Sequence, residues 1–84
     1  MSEQPEASFL TIVYTMATQA MIALGEIPNP MTRIARLDER QARWHLSSLR
    51  ILAAKTQGNL DDAETAAIEN ALAEIEKVYA DKLG

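Results

Sequence analysis

A chain of 84 residues with a net charge of −4, no cysteine and one histidine leaves few architectures open. It is expected to form one domain over 1–84, with 1–7 as a flexible N-terminal stretch. Disulfide scaffolds and Cys- or His-rich metal centres are excluded, and a generic polyanion binder would be repelled by the overall charge.

A chain this short buries only about 60–65% of its unfolded surface, and below roughly 80 residues small folds lean on a disulfide, a metal or a second subunit. Self-association is the support left. The N-terminus Met1-Ser-Glu-Gln-Pro-Glu is acidic, whereas a secretory leader starts with basic residues, so the expected compartment is the cytoplasm. Charge is uneven along the chain. Residues 31–55 carry six basic and two acidic side chains, and residues 56–84 carry seven acidic and two basic ones.

No charged residue occurs from Ala7 to Gly25. Ser8 can cap a helix start with its hydroxyl, and Gly25 can close the helix in a left-handed conformation. Pro28 and Pro30 then bar continuation, which predicts helix 1 over 8–24. Wound at 3.6 residues per turn, its polar residues Ser8, Thr11, Thr15, Thr18 and Gln19 gather within about 100°. The rest of the circumference is apolar, wider than the stripe of an ordinary surface helix. Two companions in one short chain are not expected to cover it, and burial between subunits is the favoured alternative. A membrane span is not expected, because Thr and Gln interrupt the run and its flanks carry Glu without Lys or Arg anchors.

Residues 26–36 read as a stiff Pro-Asn-Pro spacer, with Ile27, Met31 and Ile34 as candidate pegs into the core. Helix 2 is predicted over 38–56: Asp38 and Gln41 have capping-box spacing, Ala42, Leu46, Leu49 and Ala53 form an apolar stripe, and Trp44 and Ile51 add a second flank. Gly58 and Asn59 make the turn. Helix 3 is predicted over 62–82, capped by Asp61 with Glu64, with Ile68, Leu72, Ile75 and Tyr79 as its stripe. The fold expected is all-α, a three-helix protein with an antiparallel hairpin of helices 2 and 3 that associates through helix 1.

Two strings carry a resemblance: Ala17-Thr-Gln-Ala-Met-Ile-Ala-Leu-Gly-Glu-Ile-Pro-Asn-Pro30 after Phe9, and Lys55-Thr-Gln-Gly-Asn-Leu60 followed by Leu72 and Tyr79. The chain resembles the small bacterial domain-of-unknown-function family numbered eighteen forty-four. That resemblance implies a short bacterial helical protein and supplies no activity. The family pattern often places acids where Ser47 and Ala54 stand and a basic residue near Glu76, while Trp44, His45 and Arg50 look local to this chain.

No motif names a reaction. No Ser or Cys nucleophile motif surrounds His45: Ser47, two positions along the same helix, does not face it, and Ser48 stands in no such motif. The carboxylates of helix 3 lack metal-loop spacing, and three scattered glycines make no phosphate loop. No enzyme activity, catalytic residue, metal or cofactor is therefore expected. Arg36, Arg40, Arg43 and Arg50 would project within about 80° on helix 2. Such a stripe suits a solvated face, pairing with an acidic helix of a neighbour or partner, or anion binding through bidentate contacts.

The expected function is a non-enzymatic interaction or structural subunit, partnered by itself or by another protein, with Phe9, Ile12, Val13, Met16, Ala20, Leu24, Trp44 and Ile51 at the contact. Anion or RNA binding through the four arginines is the alternative.

Overall fold

A computed structural model describes residues 6–84, so most of the stretch expected to be a flexible N-terminus lies outside the described residues. Three helices follow in order: α1 Phe9–Ala23, α2 Glu39–Lys55 and α3 Asp62–Leu83. Every helix start is fixed by a side-chain cap. The Ser8 hydroxyl accepts from the Thr11 N–H, and the carboxylates of Asp38 and Asp61 accept from the N–H groups of Gln41 and Glu64. At Asp61 the cap is reciprocal, since the Glu64 carboxylate accepts from the Asp61 N–H at 2.9 Å.

The exit from α1 is equally specified. The Gly25 N–H donates to the Ile22 carbonyl and the Glu26 N–H to the Met21 carbonyl, each at 3.0 Å, which is the paired arrangement of a Schellman stop. Gly25 takes φ +79° there, and a Cβ would lie 3.2 Å from the Leu37 nitrogen. That close approach exists because Leu24 and Leu37 form an antiparallel bridge, extended by the Asp38 N–H donating to the Ala23 carbonyl at 2.6 Å. The last turn of α1 and the first turn of α2 are thus stitched together, and residues 25–36 leave and return at one point.

All three helices pack on one another. Arg43 lies beside Tyr79 and Arg50 reaches Glu76, so α2 and α3 run in opposite directions, as the hairpin requires. The buried core is Val13, Ala20, Ala23 and Leu24 of the α1 segment, Ala42, Leu46 and Leu49 of α2, and Ile68 and Ile75 of α3. Three of these nine are alanines, so the helices approach closely but bury little apolar area. The molecule is flat, 40 × 36 × 16 Å, a shape that keeps much of every helix near the surface.

The three spacer residues expected to peg into the core do not. Met31, at 90% exposure, and Ile34 stand in solvent, and Ile27 lines the surface groove between α1 and α3 without entering the core. The spacer hangs outside the Leu24–Leu37 bridge and closes on itself instead. The Asn29 N–H donates to the Ile34 carbonyl at 3.0 Å, the Arg33 N–H to the Asn29 carbonyl at 2.6 Å, and Arg33 sits at φ +61°.

Candidate functional site

Winding α1 onto α2 and α3 divides the residues expected at a subunit contact into two groups. Val13, Ala20 and Leu24 are buried in the chain's own core, and Phe9 and Met16 are half-buried against it. That part of the expectation is corrected: two helices and the Leu24–Leu37 bridge do cover one side of α1. The opposite side stays open. Ile12 remains exposed, as do Trp44 and Ile51, at 62% and 60%. Leu10 and Tyr14, which the sequence reading did not single out, join them, Tyr14 at 74%.

Leu10 and Tyr14 rim a groove of ≈ 470 Å³ between α1 and α3. Its floor contains Val13 and Ile75, and small residues make the hollow: Ala17 from α1 with Ala67 and Ala71 from α3. Glu74 is the one charged residue lining it. Two of the threonine hydroxyls of α1 are satisfied within the chain. The Thr18 hydroxyl donates to the Tyr14 carbonyl at 2.9 Å, and the Thr11 hydroxyl donates to the Glu6 carbonyl at 3.0 Å. A hydroxyl already paired with its own backbone can be covered at little further expense.

The family signature is now in place on the fold. A family model described as Domain of unknown function (DUF1844) matches residues 6–81. The chain belongs to this family. No curated protein and no solved structure is detectably similar to it, so no relative lends the DUF1844 chain an activity or a partner. The first signature string holds the C-terminal half of α1 and its glycine stop, and the second forms the α2–α3 turn. Both therefore coincide with the chain-reversal points of this DUF1844 fold.

The arginines do not form the continuous stripe that spacing suggested. Arg36 precedes the Asp38 cap and lies outside α2. Arg43 donates to Glu39 at 2.6 Å. Its pKa is raised by the Tyr79 hydroxyl first and by the Glu39 carboxylate second. Arg50 pairs with Glu76 at 2.8 Å, within the same chain rather than across to a neighbour. Only Arg36 and Arg40 of the four form no ion pair among the described residues.

A second, larger cleft of ≈ 830 Å³ lies between the end of α1, the spacer and the start of α2, with Gln19, Asn29, Arg36, Gln41 and His45 among its lining. Much of its polar surface is already engaged: Asn29 Oδ1 accepts from the Met31 N–H and Asp38 Oδ1 from the Gln41 N–H. The His45 ring lies edge-on to Trp44 at a 5.1 Å centroid separation, and its Nδ1 is buried without a hydrogen-bond partner. Desolvation lowers its pKa below the ordinary 6.5, which favours the neutral ring. Among the described residues no three His, Cys, Asp or Glu side chains converge as a metal site, and no helix is long and apolar enough to cross a membrane.

Proposed function

We propose that this chain is a non-enzymatic protein–protein interaction or structural subunit, working as a homo-oligomer or as a small component of a larger assembly. One observation carries the reading. Nine large apolar side chains are exposed among the described residues, as many as there are buried core residues of all sizes. Scattered exposed leucines are ordinary, but a surface this rich relative to its core marks a contact surface. Leu10 and Tyr14 share one flank of α1 and Ile12 lies on another, while Trp44 and Ile51 form a separate exposed pair on α2 that suits a different partner.

Anion binding through Arg36, Arg40, Arg43 and Arg50 is the weaker reading, because two of the four are already neutralised by Glu39 and Glu76. The test is native mass together with the set of proteins that stay bound through gentle purification. A stable complex, with itself or with a defined partner, is the expected result. A chain that is monomeric at high concentration, fully protected in hydrogen exchange and free of any partner overturns the reading.

A further inference from the structure

We propose that the α1–α3 groove is the docking site for a second copy of this chain, arranged about a two-fold axis with Tyr14 of each copy seated in the groove of the other. This rests on the interaction-subunit reading above and names its partner and surface.

Two observations select a second copy. The first is charge. Each chain carries −4, so two copies attract no better than any like-charged pair unless they meet through a neutral face. The segment Ala7–Gly25 is such a face, and Glu74 alone brings charge to the groove. The other exposed apolar pair, Trp44 and Ile51, is flanked one turn away by Arg40 and Lys55. Apposing two copies there would set cations against cations, so that face suits an acidic partner.

The second is shape. A two-fold interface must carry projection and receptor on one patch, because each copy offers the other the same surface. Tyr14 projects at 74% exposure and also lines the hollow floored by Ala17, Ala67 and Ala71. An aromatic ring entering a slot lined by alanines fills it, and the phenol O–H then has Glu74 of the second copy as an acceptor at the rim.

The test compares the native mass of the full chain with that of Tyr14→Glu, Tyr14→Phe and Trp44→Glu, helicity being followed by far-UV circular dichroism. The wild-type chain is expected to be a dimer. Tyr14→Glu should weaken it by about 30-fold or more, as loss of a central anchor does. Tyr14→Phe should largely retain it, and Trp44→Glu should leave it intact.

A dimer that survives Tyr14→Glu but is broken by Trp44→Glu overturns this inference and leaves the interaction-subunit reading standing. A wild-type monomer at every concentration overturns it too. The broader reading then survives only if a foreign partner is bound.

Discussion

Arg50 on α2 grips a single oxygen of Glu76 on α3, with Nε at 3.0 Å and Nη2 at 2.8 Å. The pair is half-exposed, 54% and 45% at the side chains, which limits its contribution to roughly 0.2–1 kcal/mol. A double-mutant cycle with Arg50→Ala and Glu76→Ala, read by urea denaturation, should return a coupling in that range that shrinks in high salt.

Gly25 and Gly58 separate two sources of backbone intolerance. Both have positive φ, +79° and +87°, so alanine at either is strained by about 1 kcal/mol. Only at Gly25 would the new Cβ crowd backbone, 3.2 Å from Leu37 N and 3.3 Å from Arg36 C, while at Gly58 nothing lies within 4 Å. Gly25→Ala should therefore lower the melting temperature clearly more than Gly58→Ala. Equal losses would mean that the Leu24–Leu37 contact yields freely.

His45 should make stability depend on pH. Its folded pKa lies below the ordinary 6.5 because burial disfavours the charged ring. Below 6.5 the unfolded chain binds the proton more readily than the folded one, so stability falls as pH drops through that value and levels off under the folded pKa. Above 6.5 the ring is neutral in both states and contributes no slope. His45→Phe removes this dependence and the unpartnered Nδ1 together. Melting temperatures of the two chains between pH 5 and 8, a range of about three units around the ordinary His pKa, should diverge on the acid side only.

Leu49 and Ala20, both at 0% exposure, set the scale of the core. Leu49→Ala should cost about 2–5 kcal/mol, a large share of what so small a domain possesses, and should show as loss of cooperative melting. Ala20→Asp should unfold the chain outright by burying an unpaired carboxylate. A charge at Ala20 accordingly reports on folding and not on assembly. Tyr14, standing out in solvent, is the position that tells the two apart.

The helices themselves were legible in the amino-acid order. Ser8, Asp38 and Asp61 cap where expected, Gly25 stops α1, and each predicted boundary falls within about one residue of the observed one. What periodicity could not assign was which part of a broad apolar face would be covered. Ala20 and Tyr14 are both uncharged α1 residues, yet one is sealed and the other is open, and only the angles at which α2 and α3 arrive decide it. Ile27, Met31 and Ile34 looked like pegs because they are apolar. The bridge at Leu24 and Leu37 closes the spacer's base, turns the segment outward and keeps those three residues out of the core, Ile27 reaching only the α1–α3 groove. Arg36 fell outside the stripe for a related reason: the Asp38 cap starts the helix after it, and helical spacing does not extend past a cap.

That closed base has a wider bearing. With residues 24 and 37 held side by side, the intervening stretch is a handle bolted on at both ends, and its length is uncoupled from the register of the body. Residues can be added to it or removed around Met31 without displacing α1 against α2, which makes it the natural point to graft an affinity tag or a fluorophore while the rest of the molecule keeps its shape.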